Sequence, residues 1–424
     1  MSAPGSSSPT PRLATDFNVV VVGGGAAGLF AAIACAEAAP GRRIVVLEKG
    51  PEFLAKVRIS GGGRCNVTHA CFDPRELAER YPRGGRALIG PFQRFQPRDT
   101  VAWFGARGVS LKTERDGRMF PVTDSSRTIV ECLLTAARQA GVGLRSNTGV
   151  DGVVRGEDGR FALALSCGET LVCDRLLLAT GGCRAPAAGR LAEMLGHTLV
   201  PPVPSLFAFN IDLPWLRALA GVSVEAVEVG VPGTRLRKRG PLLFTHWGVS
   251  GPAILRLSAW GARILHDLDY RFPLQVDWVP TYDAAAWMAE FATRRQTNGA
   301  RCVVNTPGVG LPARLWEQLI LAAGLSPDQR WAGLSRSAQQ QLVRQLTRTE
   351  LPVVGKSLNR DEFVTCGGVR LGEVDFRTMA SRSCPGLYFA GELLDIDGVT
   401  GGFNFQAAWT TGWIAGQALA AGLD

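Results

Sequence analysis

The sequence predicts an α/β protein: a Rossmann-type domain assembled from both ends of the chain, with a large insertion between them. Three stretches carry that expectation. Asn18 to Val22 is a short apolar run that ends in Gly23-Gly24-Gly25 and opens an alanine-rich segment, Ala26 to Ala39. Arg43 to Leu47 is a second such run, stopping at Glu48. The same texture returns near the C-terminal end, where strand Gly386 to Ala390 leads through a Gly/Asp loop into a helix over Phe405–Ala421. Short continuous apolar runs bounded by glycine read as buried strands, and the alanine-rich run after the turn reads as a helix packed on them.

The intervening elements follow in order. A second glycine-rich loop, Ser60-Gly-Gly-Gly-Arg-Cys-Asn66, precedes helical segments near 74–80 and 98–107 and a helix over 126–140. Alternating strands over 143–173 come next, then strand Arg175 to Leu178, which ends in Ala179-Thr-Gly-Gly182. From Leu191 the texture changes to short strands punctuated by Pro201, Pro202, Pro204, Pro214, Pro232, Pro241 and Pro252. Amphipathic helical patterns follow, as in Leu315 to Ala323 and Ala338 to Leu346. The expected organisation is a flexible tail over 1–16, a nucleotide-binding domain over 17–190 and 356–424, and an inserted domain over 191–355. Within the insertion, 191–280 is β-rich and 281–348 helical.

Composition excludes several classes. A chain of 424 residues supports two or three packed units. Its 46% hydrophobic content marks a globular α/β chain, and its 51 glycines supply many tight turns. No apolar stretch approaches the roughly 20 residues that span a bilayer, and the residues before Asp16 hold no secretory apolar core, so a cytoplasmic protein with no membrane partner is expected. The ten cysteines, at 35, 65, 71, 132, 167, 173, 183, 302, 366 and 384, include no Cys-x-x-Cys pair. That spacing argues against a zinc ribbon, an iron–sulfur run and a redox dithiol, and no metal is expected. A net charge of +9, spread over 46 basic residues, leaves a polyanionic partner open without naming one.

The chemistry begins at Gly23-x-Gly25-x-x-Gly28, which stands directly after a strand and opens a helix. Gly23 permits the tight turn, Gly25 lets the backbone approach a pyrophosphate, and Gly28 lets helix and strand pack closely. The helix N-terminus adds free N–H groups and the positive end of its dipole. Twenty residues beyond Gly28, Glu48 is placed to accept hydrogen bonds from the adenosine ribose. The far end of the chain separates FAD from NAD. Gly386-Leu-Tyr-Phe-Ala-Gly-Glu392 delivers a carboxylate where a ribityl chain offers hydroxyls, and Thr400-Gly-Gly-Phe-Asn-Phe-Gln406 turns backbone N–H groups toward a flavin N1 and C2=O edge. There is no second G-x-G-x-x-G after a strand, so an NAD(P)H donor has no domain of its own.

These residues resemble the BaiN/RdsA-like (YhiN-type) NAD(P)/FAD-dependent flavoproteins, also labelled the aminoacetone-oxidase family. The matching segments are Val19 to Leu29, Ile59 to Thr68, Gly117 to Pro121, Leu242 to Leu255 and Val364 to Gly402. The resemblance implies a glutathione-reductase-like FAD domain with an inserted β-barrel-like and helical region, and a backbone contact from Val150 to adenine. It also implies hydride transfer from flavin N5 to a carbon β to a carbonyl, in a bile-acid enone or a ribosomal-RNA uridine. Asp124-Ser-Ser-Arg127 departs from the Lys-Ala pair that many relatives carry there.

Motifs and resemblance together give the expected cofactor set. It comprises Gly23, Gly25, Ala26, Ala27 and Gly28 at the first turn, and Glu48 and Lys49 at the second strand. Arg58, Gly62, Gly63, Arg64, Cys65 and Asn66 in the second loop join them, with Val150, Thr180 and Gly181. The C-terminal contribution is Gly391, Glu392, Gly402, Phe403 and Asn404. Cys65 is a candidate proton donor or a small packing residue; His246 is a candidate acid/base or a locally satisfied imidazole. Asp395 and Asp397 either orient a substrate or make a turn, and Trp409 and Trp413 share one helix face, as core residues do.

The expected function is FAD-dependent reduction of an activated C=C bond, in ribosomal RNA or a small enone, with NAD(P)H as electron donor. A flavin amine oxidase is the alternative within enzymes. A basic RNA-binding protein with structural FAD is the alternative outside them, marked by Arg235, Arg237, Lys238 and Arg239.

Overall fold

The computed structural model describes residues 15–183, 186–357 and 364–422. The chain forms two compact units, one of Met1–Pro202 with Val364–Asp424 and one of Val203–Phe363. The expected seams at 190/191 and 355/356 compare with divisions at 202/203 and 363/364. The helix Pro186–Met194 packs on strand Val150–Arg155 and stays with the first unit.

In the first unit a parallel sheet runs Leu387–Phe389, Thr170–Leu178, Thr15–Val22, Ile44–Leu47 and Gly143–Arg145, with every neighbour in register. Val19 to Val22 and Ile44 to Leu47 are buried throughout, which is why they read as continuous apolar runs. Strand Thr170–Leu178 serves two partners: Thr170 to Cys173 pair antiparallel with Phe161–Leu165, and Leu176 to Leu178 pair parallel with Leu387–Phe389. The first strand begins earlier than expected. Thr15 and Asp16 already pair with Leu171 and Val172, so the sheet begins inside the segment expected as a tail over 1–16; residues 1–14 lie outside the described residues.

Helix Ala26–Ala38 is buried along most of its length, between the sheet and the closing helix Phe403–Ala421. Small residues let the two helices approach. A Cβ at Gly412 would stand 2.6 Å from the Ala27 carbonyl oxygen, and one at Gly416 would stand 2.8 Å from Ala34 Cβ. Helix Gly85–Arg94 was not expected, because Gly84 at its N-cap and Pro91 inside it mimic loop chemistry, and helices Pro252–Trp260 and Ala262–Asp267 likewise interrupt the 191–280 stretch expected to be β-rich, Pro252 serving as the first helical residue and not as a strand breaker. Strands Thr68–His69, Leu111–Thr113 and Arg118–Pro121 form a small antiparallel sheet of their own.

The second unit is a closed six-stranded antiparallel barrel. Its order is Phe209–Ile211, Gly248–Ser250, Arg237–Phe244, Ser223–Gly230, Phe272–Asp277 and Thr349–Lys356. The last strand closes the barrel from beyond the helical part, so the β-rich region does not end near 280. Helices Ala284–Thr297, Ala313–Ala322 and Arg336–Arg348 bury Trp287, Phe291, Trp316 and Leu342 in the same apolar core as the barrel.

Candidate functional site

The first turn has the shape that a dinucleotide demands. Gly23 stands at φ +111° with its Cα facing Ala179, and a Cβ there would collide with the Ala179 carbonyl. A Cβ at Gly28 would collide with the Gly23 carbonyl oxygen, so this glycine is what lets the helix sit on the turn. Gly25 differs: a Cβ there would meet no protein atom within 4 Å, which leaves its face open. The helix that starts at Ala26 carries no acidic residue in its first turn, so nothing offsets the positive end of its dipole.

Glu48 is fixed in place by backbone donors. Its Oε2 accepts from Gly24 N at 2.8 Å and its Oε1 from Gly50 N at 2.8 Å. Each oxygen keeps a second lone pair for a ribose hydroxyl. Thr148 N donates to the Glu48 carbonyl, which brings Thr148 to Val150 beside the tip of the second strand, and Lys49 lies exposed at that tip.

The C-terminal segment meets the same turn. Gly391 is left-handed at φ +73°, and a Cβ on it would stand 2.7 Å from Ala27 Cβ. Its N–H donates to Thr411 Oγ1 at 3.0 Å. Glu392 accepts from Lys56 Nζ at 2.7 Å and from Thr365 N at 2.8 Å. A Cβ on Gly182 would stand 2.8 Å from Glu392 Oε1, so the strand end at Thr180 to Gly182 lies against this carboxylate. Thr180 itself spends its hydroxyl on Ala188 O at 2.7 Å, and Gly181 is open.

The second glycine loop is tied to the closing helix. Gly61, Gly62 and Gly63 are all left-handed, and the Cα faces of Gly62 and Gly63 are open. Asn66 bridges the two ends of the chain: its amide nitrogen donates to Thr68 O at 3.0 Å and its oxygen accepts from Gly402 N at 3.0 Å. Gly402 N–H is thus engaged, and the first intrahelical bond is Gln406 N to Gly402 O, so the N–H groups of Phe403, Asn404 and Phe405 have no intrahelical acceptor. The Asn404 side chain clamps Gly398 through both its backbone groups, at 2.8 and 2.9 Å. Beneath the loop lies a buried polar network: Gln406 Oε1 accepts from Thr68 Oγ1 at 2.6 Å and Thr100 Oγ1 at 2.9 Å, while its Nε2 donates to Thr410 Oγ1 at 3.1 Å. Trp409 is fully buried and donates to Val67 O, and Trp413 stacks on Phe95.

Other expected residues are committed elsewhere. Arg64 pairs with Glu114 at 2.7 Å, lies over the Phe120 ring and approaches Asp124 at 3.6 Å. Asp124 also pairs with Lys112, so the departure at 124–127 builds an ion-pair cluster on the second loop. Arg58 is exposed and pairs with Glu52. Asp397 is buried against Arg83, which makes it a structural anchor and not a solvent-facing turn residue. Cys65 is completely buried at φ +61°, and burial pushes its thiol up to about 12. His246 is exposed at the hairpin turn between Phe244 and Gly248 of the barrel unit.

Four site-adjacent residues had no sequence signal strong enough to single them out: Lys56, Thr365, Gln406 and His69. Lys56 and Glu392 lie 336 positions apart, beyond any local pattern. His69 stacks on Phe403 at 4.7 Å, its Nε2 lies 3.0 Å from Asp116 O, and its Nδ1 is buried without a partner.

An open glycine face at a helix N-terminus, two carboxylates at strand tips on either side of the first strand, and a C-terminal helix returning to the same turn define the class: a Rossmann-type FAD-binding domain. The family model described as HI0933-like protein Rossmann domain matches residues 17–418, and the chain belongs to that family. It is 33% identical over 417 residues to the ribosomal RNA dihydrouridine synthase of Escherichia coli, covering 96% of this chain and 98% of that protein. It is 29% identical over 409 residues to the 3-dehydro-bile acid delta(4,6)-reductase of Clostridium scindens, covering 94% and 98% respectively. Among solved structures, a 3-ketosteroid-delta4-(5alpha)-dehydrogenase from Rhodococcus jostii RHA1 superposes with a TM-score of 0.51 over 98% of this chain and 99% of that one. At 15% identity the likeness is one of fold. Among the described residues no helix is long and apolar enough to cross a membrane.

Proposed function

We propose that this chain binds one FAD and reduces a carbon–carbon double bond conjugated with a carbonyl, with uridine in ribosomal RNA as the preferred substrate and NAD(P)H as electron donor. The observation that carries the FAD reading is the packing of Gly391 against Ala27, which joins the C-terminal strand tip to the first glycine turn, and the reductive reading rests on the relatives. When bound, FAD supplies a two-electron carrier.

The chain's own residues do the rest. The open Gly25 face and the start of helix Ala26–Ala38 hold the pyrophosphate. Glu48 takes the adenosine ribose, and Val150 backs the adenine. Glu392, held by Lys56 and Thr365, receives ribityl hydroxyls. Phe403 and Asn404 N–H groups offer donors at the positive end of the closing helix, where added negative charge is stabilised. Of the two candidates for the second proton, Cys65 holds its proton but has no exposed surface to pass it on. His246, exposed at a turn of the barrel unit, stays the other candidate for the acid.

Identities of 33% to a ribosomal RNA dihydrouridine synthase and 29% to an enone-type reductase support reduction over oxidation. The test is nucleoside mass spectrometry of ribosomal RNA from cells with and without the protein. Loss of one dihydrouridine on deletion is expected. Unchanged dihydrouridine, with a flavin re-oxidised by a small enone, moves the substrate to small molecules. Peroxide release on amine addition replaces the reading with an oxidase, and a purified chain that takes up no FAD ends it.

A further inference from the structure

One short segment, 80–84, holds the loop that leads into the closing helix, and no cofactor motif includes it. Arg80 O accepts from Val399 N at 2.9 Å. Arg83 pairs through its guanidinium with the fully buried Asp397, and the main chains of the two residues form an antiparallel bridge. Gly84 at φ +77° lets the chain lie on Ile396, since a Cβ there would stand 2.5 Å from that side chain. Tyr81 lies between these anchors. It is 3% exposed, its ring is packed so closely on Gly398 that a Cβ there would stand 3.1 Å away, and its hydroxyl donates to Phe403 O at 2.6 Å. Segment 80–84 therefore grips both the loop 396–399 and the first residue of helix Phe403–Ala421.

The hydroxyl matters because of the peptide it meets. Phe403 C=O and Asn404 N–H belong to one peptide unit, and a donor on the oxygen draws charge from the nitrogen, so the N–H becomes a stronger donor in turn. Asn404 N–H is among the first-turn groups that have no intrahelical acceptor. Asn404 and Phe405 are only half-buried, so this end of the helix keeps an open face. In the FAD reading it is the end turned toward the flavin N1 and C2=O edge, where two-electron reduction places negative charge. A donor strengthened there favours the reduced cofactor over the oxidised one. Burial holds the Tyr81 phenol well above its ordinary value, so the hydroxyl keeps its proton and stays a donor well into alkaline solution.

We infer that Tyr81 is a positioning residue for the flavin: its hydroxyl, acting through the Phe403–Asn404 peptide, aims and polarises the Asn404 N–H and so raises the reduction potential of the bound cofactor. Arg80, Arg83 and Gly84 fix the phenol in that place. The inference rests on the FAD reading and is independent of the substrate.

The test uses the full chain loaded with FAD, its midpoint potential measured by equilibration with a reference dye. Tyr81→Phe removes one hydroxyl and leaves the ring in place. It is expected to lower the preference for reduced over oxidised FAD about 3- to 10-fold, a fall of about 14 to 30 mV for a two-electron couple. Affinity for oxidised FAD should change by less than about 2-fold, because the effect acts on charge that arrives only with reduction. Replacing Tyr81 by 3-fluorotyrosine, a more acidic phenol and a stronger donor, should move the potential the opposite way. A tyrosine that merely packs would change the unfolding midpoint or the affinity for oxidised FAD and leave the potential alone. An unchanged potential in both variants therefore overturns the inference, as does a shift of the same sign in the two. If Tyr81→Phe does not fold, the sign of the 3-fluorotyrosine shift decides. Failure of the FAD reading looks different: the parent chain itself takes up no cofactor, and the inference falls with it.

Discussion

Replacing Gly25 and Gly28 separately by alanine distinguishes a glycine kept for a ligand from one kept for the fold. At Gly25 the backbone is φ −81°, ψ −168°, a conformation open to alanine, and a Cβ meets nothing within 4 Å. Alanine is a poorer N-cap than glycine by up to about 1 kcal/mol, whereas reduced freedom in the unfolded chain returns about 0.4–1 kcal/mol. The two nearly cancel, so Gly25→Ala apoprotein should unfold within about 0.5 kcal/mol of the parent. Its methyl group nevertheless stands where the pyrophosphate must approach. An intrusion of that size costs about 1–3 kcal/mol, or roughly 5- to 150-fold in FAD affinity. At Gly28 the added Cβ collides with the Gly23 carbonyl oxygen, so the loss falls on the apoprotein first, by about 1–3 kcal/mol or more. Urea unfolding of the apoproteins and FAD titration by flavin fluorescence quenching read the two effects separately. The reasoning is refuted if Gly25→Ala destabilises the apoprotein as much as Gly28→Ala does, or binds FAD with parental affinity.

Three further outcomes are expected. Gln406→Leu orphans the buried Thr68 and Thr100 hydroxyls and should cost about 2–5 kcal/mol in urea unfolding, while adding Thr68→Val and Thr100→Val should recover much of it; a triple variant no more stable than the single one contradicts the network. Burial holds the His69 and His197 imidazoles below their ordinary value of 6.5, so the unfolded chain binds protons first: their contribution is complete above about pH 6.5 and is lost as pH falls through the lower folded values. The urea midpoint should therefore drop between pH 7 and 5.5, less so in His197→Asn, and a midpoint flat over that range argues against it. Cys65, fully buried with its thiol pushed to about 12, should resist maleimide in the native protein under conditions that label the exposed Cys167; equal labelling by peptide mass spectrometry would show that the loop opens.

Much of the nucleotide-binding unit was legible because its signals are local. The strands at 19–22 and 44–47 are buried on both faces, so their apolarity is continuous, and the first turn needs glycine at Gly23 and Gly28 for reasons of contact within a few residues. The helix Gly85–Arg94 was missed because a left-handed Gly84 and an internal Pro91 carry the chemistry of a turn, while burial of Leu88 and Phe92 overrides it. The barrel-closing strand Thr349–Lys356 was missed for another reason: its partners, Phe209–Ile211 and Phe272–Asp277, lie far upstream, and nothing within the strand encodes them.

By itself the sequence determined that a strand, a glycine turn and a helix would present an anion-binding end, and that Glu48 and Glu392 would each stand at a strand tip. Those are consequences of backbone freedom and side-chain period, which act over a few residues. Only the tertiary structure decided that Gly391 rests on Ala27, that Asn66 holds Gly402, and that Lys56 reaches Glu392 while Arg64 pairs with Glu114. Such contacts join residues hundreds of positions apart, and which cation meets which carboxylate depends on packing that fixes direction and distance once the two chain ends have met.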